Sequence, residues 1–172
     1  DKVSLEDIQE LLNSAIHEER MVALFILVEQ YKKAGHDTRQ KMFDFYLANT
    51  ARINNWDLVD LSAPNIVGDF LLDKGRTILY SLAKSKSLWE KRISILATFA
   101  FIRNNEFDDT LKISEILLTD PHDLIHKAVG WMLREVGKGS LKIEQSFLDK
   151  HAPKMPRTML RYAIEKFPEE LR

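Results

Sequence analysis

The chain has 172 residues, of which 45% are hydrophobic and 30% charged, and its formal net charge is −1. This size and balance are typical of one globular domain with a sizeable core. Because the sequence contains no cysteine, disulfides, thiolate nucleophiles and cysteine-based zinc sites are excluded.

No stretch of the sequence approaches the roughly 20 apolar residues that cross a bilayer, and the amino terminus lacks the basic-then-apolar pattern of a signal peptide. We therefore expect a cytoplasmic protein with no membrane segment. The chain begins at Asp1 without a methionine. We expect residues 1–172 to be a single domain that is a fragment of a slightly longer protein.

The sequence predicts helices along the whole chain and no strand pattern of any length. Ser4 and Asp7 resemble a capping pair that opens the first helix, which we expect to end near Ile16. Pro64 should end or kink a later helix near Ala63, because proline lacks the amide hydrogen and clashes with the preceding turn.

Two further start signals lie downstream. Ser87 and Glu90 have the spacing of a capping box, and Asp120 followed by Pro121 offers an N-cap acid with proline at the first helical position. In chain order, the predicted helices cover residues 4–16, 18–33, 38–48, 54–72, 77–83, 87–103, 109–118, 121 to either Gly137 or Gly139, 141–150 and 156–167.

These helices have short connections and come in pairs spaced by about 35 to 40 residues, the range of HEAT-type repeats. The sequence therefore predicts an all-α fold, a curved α-solenoid of HEAT-like helical pairs with a concave face for an extended partner. A compact helical bundle is the alternative arrangement.

Trp56 and Asp60 are four residues apart in a predicted helix, so both should lie on one face. A carboxylate beside an aromatic wall suits a reaction that builds positive charge. The ordinary alternative is a packed indole next to a solvated or capping acid.

The charge is unevenly distributed along the chain. Residues 74–103, which include Lys91, carry seven basic residues and one acidic residue, and the basic segment 124–172 includes Lys127 and Arg157. Local positive potential of this kind is what contact with a polyanion requires. The alternative is a set of ordinary solvated helix faces.

Arg92 follows Trp89 by three residues, so the two share a helix face, and a guanidinium beside an indole can grip a phosphate in two places. A surface salt bridge is the alternative for Arg92. Near Trp131, the small residues Ala128 and Gly130 would let another helix or a ligand come close. Trp131 could also be an ordinary core residue.

The sequence predicts no metal site and no cofactor. His122 and His126 have the i, i+4 spacing of metal ligands, but neither an HExxH pattern nor a third ligand accompanies them. No glycine-rich phosphate loop, serine nucleophile elbow or dinucleotide fingerprint is present.

Three segments together resemble the signature of the AlkD-type DNA glycosylases, the HEAT-like repeat DNA alkylation repair enzymes. The similarity runs from about Leu11 to Pro168 and keeps the order and spacing of the segments. They are Trp56-Asp57-Leu58-Val59-Asp60, Leu88-Trp89-Glu90-Lys91-Arg92, and Ile125-His126-Lys127-Ala128-Val129-Gly130-Trp131-Met132-Leu133-Arg134-Glu135.

The resemblance implies a solenoid whose concave surface holds duplex DNA and excises N3- or N7-alkylated purines. By position, Asp60 matches the catalytic carboxylate, and Trp56 and Trp131 match the aromatic pair at the lesion. The family's usual amino-terminal helices have no counterpart before Asp1. The residues expected to bind DNA are Arg92, Trp89, Lys91, Lys127 and Arg157.

The chemistry of the residues fits this reaction. N3- or N7-alkylation makes the purine cationic, so it leaves without protonation, and a carboxylate opposes the positive charge that develops on the sugar. The faces of Trp56 and Trp131 offer cation–π attraction. Because no lysine stands out as a Schiff-base nucleophile, we expect hydrolysis to an abasic site without strand cleavage.

Two other functions fit the sequence. One is a non-catalytic HEAT-repeat protein that binds structured DNA or a protein partner, since repeat proteins keep their fold when catalysis is lost. The other is a structure-specific DNA binder that recognises bends or branches through its basic residues. For the glycosylase, we expect a monomer acting on double-stranded DNA that contains alkylated purines.

Overall fold

The computed structural model of the chain describes residues 3–171, and within that range it contains α-helices, short 3-10 turns, one π-helical turn and no strand. The all-α fold class is therefore confirmed. The α-helices are α1 (Leu5–Asn13), α2 (His17–Lys33), α3 (His36–Ala48), α4 (Trp56–Ala63), α5 (Thr77–Ala83), α6 (Leu88–Ala97), α7 (Phe99–Arg103), α8 (Asp108–Leu117), α9 (Asp123–Gly139), α10 (Leu141–His151) and α11 (Arg157–Ala163).

The helices stack in the order of the chain. Helix α2 packs against α4, α4 against α6, α6 against α9, and α9 against α11, while the intervening helices pack along this row. Stacking of each unit on its neighbours is the arrangement of helical repeats. This row brings α4, α6, α9 and α11 side by side, and these four helices carry the residues of the site.

The first helix begins as predicted and ends earlier. The Ser4 side chain accepts a hydrogen bond from the Asp7 backbone amide, and the Asp7 carboxylate accepts one from the Ser4 amide, which completes a capping box. Ser14 then has an extended backbone, so α1 ends at Asn13 rather than near Ile16.

Pro64 ends α4 at Ala63, as its missing amide predicts. The chain continues through a π-helical turn at Pro64–Gly68. A Cβ atom on Gly68 would lie 2.1 Å from the Ala97 carbonyl oxygen. Glycine at this position therefore allows the backbone after α4 to approach α6 closely.

The predicted helix 87–103 is divided into α6 and α7 at Thr98. The Thr98 hydroxyl donates a hydrogen bond to the Ile95 carbonyl oxygen, and the Thr98 amide donates to the same oxygen. A buried threonine that bonds the preceding turn in this way disturbs the regular α-helical pattern.

The predicted start of the longest carboxy-terminal helix at Asp120 and Pro121 is wrong. Asp120 instead accepts a hydrogen bond from the His122 amide and pairs with Lys91. The His122 ring accepts a hydrogen bond from the Leu124 amide and is the N-cap, so α9 begins at Asp123.

The last predicted helix, 156–167, is also shorter than expected. Helix α11 covers Arg157–Ala163, and a 3-10 turn at Ile164–Lys166 follows it. Buried apolar residues from α1 through α11 form one continuous core. None of the described helices is long and apolar enough to span a membrane.

Candidate active site

A cleft of about 420 Å³ opens between helices that are far apart in the sequence. Helix α4 contributes an acid and an indole to its wall, α6 an arginine, α9 a second indole and two cations, and α11 a tyrosine. The lining residues are Trp56, Asp60, Arg92, Leu124, Lys127, Trp131, Arg134 and Tyr162.

The start of α4 fixes Trp56 and Asp60 on one face, as their spacing predicts. The Asn55 side chain accepts a hydrogen bond from the Trp56 amide at 2.8 Å and caps the helix. Trp56 is 52% exposed, whereas the Asp60 side chain keeps 17% of its surface open to solvent. The carboxylate is therefore recessed beside an exposed indole rather than buried in the core.

Arg92 holds the Asp60 carboxylate with two parallel hydrogen bonds. Its Nε donates to Asp60 Oδ1 and its Nη2 to Oδ2, both at 2.8 Å. The third nitrogen, Nη1, donates to the Leu124 carbonyl oxygen at 2.6 Å. A bidentate pair of this kind fixes the plane of the carboxylate as well as its position.

This geometry differs from the phosphate contact that the sequence predicts for Arg92. The residue is 4% exposed, and each of its three guanidinium nitrogens already donates to an acceptor in the protein. Trp89, unlike Arg92, does not line the cleft, because it packs against the hydrophobic core. The structure thus gives Arg92 the position of a residue that orients Asp60.

Trp131 lines the same cleft as Trp56 and is fixed on two sides. Its Nε1 donates a hydrogen bond to Glu135 Oε1 at 3.1 Å. Its ring meets that of Phe99, with the centroids 5.9 Å apart and the planes tilted by 57°. Trp131 is partly buried against the core and also lines the cleft, so both interpretations of its sequence context hold in part.

The remaining predicted DNA-binding residues occupy different places. Lys127 lines the cleft and pairs with Asp123 at 2.7 Å. Lys91 lies outside the cleft lining and pairs with Asp120 at 2.6 Å. Arg157 is exposed at the start of α11.

Tyr162 is a lining residue that the sequence analysis missed. It is 37% exposed, and α11 presents it to the cleft because α11 lies very close to α9. A Cβ on Gly130 would stand 2.4 Å from the Met159 carbonyl oxygen and 2.5 Å from the Tyr162 Cβ. The small residue beside Trp131 therefore admits another helix, one of the two outcomes its size predicts, and it was the available signal for Tyr162.

Arg134 was also missed as a cleft residue. Its guanidinium pairs with Glu165 and lies 3.8 Å from Glu135 Oε1, and 18% of its side chain is exposed. It adds a cation to the cleft lining and pairs with an acid of α9 and with an acid of the 3-10 turn after α11.

The two histidines with metal-ligand spacing have other contacts. His122 caps α9, and the His126 ring makes a hydrogen bond with the Asp120 carbonyl oxygen. No group of three or more His, Asp or Glu side chains within residues 3–171 is arranged to hold a metal ion.

Stacked helices that converge on a recessed carboxylate, its guanidinium partner and two indoles define a helical-repeat protein with a polar, aromatic-walled cleft. The model of the family described as DNA alkylation repair enzyme matches residues 1–167. The chain therefore belongs to the DNA alkylation repair enzyme family.

A solved structure shows the same fold. It is described as a predicted DNA alkylation repair enzyme from Enterococcus faecalis, with a TM-score of 0.74 and 15% identity over 95% of this chain and 75% of that chain. No curated protein matches the chain.

Proposed function

We propose that this protein, whose family indicates a role in DNA alkylation repair, is a monofunctional DNA glycosylase. It hydrolyses the N-glycosidic bond of N3- or N7-alkylated purines in duplex DNA. The observation that carries the proposal is the Asp60 carboxylate, held by Arg92 in an open cleft walled by Trp56 and Trp131.

The protein does not have to protonate the base for this reaction. The bond between C1′ and the purine nitrogen breaks with its electron pair going to the cationic base, which leaves as a neutral molecule. Positive charge then develops on the sugar, and a carboxylate nearby lowers the barrier by opposing that charge.

Asp60 retains the capacity to handle the attacking water. Each carboxylate oxygen has two lone-pair directions, and Arg92 uses one on each oxygen. A water held on a remaining lone pair attacks C1′, gives its proton to Asp60 and thence to solvent, and leaves an abasic sugar. Arg92 is a positioning residue in this scheme, since it acts through Asp60.

The indoles supply attraction to positive charge. A cation over an aromatic face is stabilised by about 0.5 to 2 kcal/mol, depending on how far it is desolvated. The exposed ring of Trp56 and the fixed ring of Trp131 border the same cleft as Asp60. A cationic purine or sugar placed there meets an acid and two π-faces together.

One observation favours a non-catalytic binding protein instead. Both Asp60 oxygens accept hydrogen bonds from a buried arginine, which is also what a purely structural ion pair would show. In that case the cleft binds DNA or another partner without changing it.

A base-release assay separates the two functions. The protein is incubated with a duplex that carries one 7-methylguanine, and the free base is measured by liquid chromatography. The glycosylase releases 7-methylguanine and leaves a strand that breaks only after alkali or heat, whereas the unmethylated duplex yields nothing. Binding without release of the methylated base would contradict the proposal.

A further inference from the structure

A second hollow, of about 530 Å³, adjoins the Asp60 cleft and shares Tyr162 and Lys127 with it. Its other walls come from the start of α9, from α11 and from the 3-10 turn that follows α11. They are Asp123, Thr158, Arg161 and Glu165.

The charges around the two spaces identify which cations can receive a ligand. Arg92 is committed to Asp60 and Leu124, and Arg134 is paired with Glu165. Arg161 lines the second hollow, and its side chain is exposed.

Lys127 can also be redirected toward a ligand. Its pair with Asp123 joins side chains that are 40% and 55% exposed, and pairs so open to water contribute little to stability. The hydrogen bond from Lys127 lowers the pKa of the Asp123 carboxyl, but an incoming anion can compete for the same ammonium.

We propose that this second hollow is the binding site for a phosphodiester next to the damaged nucleotide, with Arg161 as its principal cation and Lys127 as the second. The inference rests on the proposed function, because it takes DNA as the substrate. Every deoxyribose carries a phosphodiester on each side, so a sugar held at Asp60 brings one of them into the adjoining space. Tyr162 stands with Lys127 at the boundary between the two spaces.

The position of Arg157 extends this path. Arg157 precedes Arg161 by four residues on α11, so the two side chains lie on one helix face. A backbone that enters the hollow would then continue along exposed guanidinium groups, which bind phosphate in a bidentate manner.

The test uses a duplex with a tetrahydrofuran abasic-site analogue, which the protein cannot cleave, and measures its affinity by fluorescence anisotropy over a range of salt concentrations. Arg161→Ala should weaken binding about tenfold, the size of one charge-assisted contact. The slope of log affinity against log salt should fall by about one. Lys142→Ala removes an exposed charge on α10, away from both spaces, and should bind as the wild type does.

Neutral methylphosphonates placed one at a time along the analogue strand then locate the contact. A methylphosphonate at one position beside the abasic site should lower the affinity of the wild type about tenfold. The affinity of Arg161→Ala should not fall further at that position. The assignment is overturned if a methylphosphonate lowers the affinity of the wild type and of Arg161→Ala equally at every position. It is also overturned if Arg161→Ala binds as tightly as Lys142→Ala.

The base-release assay keeps this result separate from the proposed function. If the wild type releases 7-methylguanine and Arg161→Ala binds the analogue duplex as tightly as the wild type, the phosphodiester site is contradicted and the glycosylase is not. If the wild type releases no base but Arg161 is needed for the phosphate contact, the glycosylase is contradicted and the hollow is a phosphate-binding site only.

Discussion

Replacing Arg92 with methionine tests how the Asp60 carboxylate is held. Methionine keeps much of the apolar length of the side chain but removes both hydrogen bonds to Asp60 and the one to the Leu124 carbonyl oxygen. Only 17% of the Asp60 side chain is exposed in the wild-type structure, so the variant leaves a recessed carboxylate without its bidentate partner.

The size of the effect follows from the burial of the pair. Removing one partner of a buried ion pair costs about 3–5 kcal/mol, because the other charge is left uncompensated. Asp60 keeps some access to water, so we expect the lower end, about 3 kcal/mol of unfolding free energy. For a protein of this length that corresponds to a fall of roughly 6–12 °C in Tm.

Urea and thermal denaturation followed by circular dichroism measure this change. Arg157→Met is the matched control, since it removes an exposed arginine and should stay within about 0.5 kcal/mol of the wild type. In the double variant Asp60→Asn/Arg92→Met, the uncompensated charge is gone, so the loss should be smaller than the sum of the single losses. If Arg92→Met is no less stable than Arg157→Met, the pair does not hold Asp60 in the way described.

Three further predictions concern single positions. Gly130→Ala should lower the unfolding free energy by about 1–3 kcal/mol in urea titrations, because the added Cβ would overlap Met159 and Tyr162. Unchanged stability would mean that α11 shifts freely. Trp56→Ala should leave the unfolding free energy within about 0.5 kcal/mol of the wild type, since the ring is 52% exposed. Its rate of base release should fall by about 2- to 30-fold, whereas Trp56→Phe should keep much of the wild-type rate. Burial raises the pKa of Glu144 from 4.5 to about 8, so the folded state retains a proton that the unfolded chain releases, and stability should decline as pH rises between those values. Glu144→Gln should flatten this decline, and an unchanged pH profile would contradict the assignment.

The sequence predicts the helices well where its signals are local. The capping box at Ser4 and the proline at position 64 each depend on neighbouring residues, and the structure has them where expected. The helix predicted at 77–83 also has the predicted bounds. The start of α9 could not be predicted because it depends on a distant residue. Lys91 holds Asp120 away from the helix, which leaves His122 as the cap.

The candidate site shows the same division. Trp56 and Asp60 share a face because they are four residues apart in a helix, and this spacing can be seen in the sequence. The pairing of Arg92 with Asp60 joins two helices 32 positions apart, and nothing in the local pattern around Arg92 distinguishes an internal carboxylate from an external phosphate as its partner. Tyr162 enters the cleft only because Gly130 lets α11 approach α9.

Asp60→Asn tests the central claim most directly, because the amide keeps the shape of the side chain and removes its charge. We expect the variant to bind a duplex that contains the tetrahydrofuran analogue within about threefold of the wild type. Its release of 7-methylguanine should fall on the order of 100-fold or more. Release at the wild-type rate by a folded Asp60→Asn protein would contradict the assignment of Asp60 as the catalytic carboxylate.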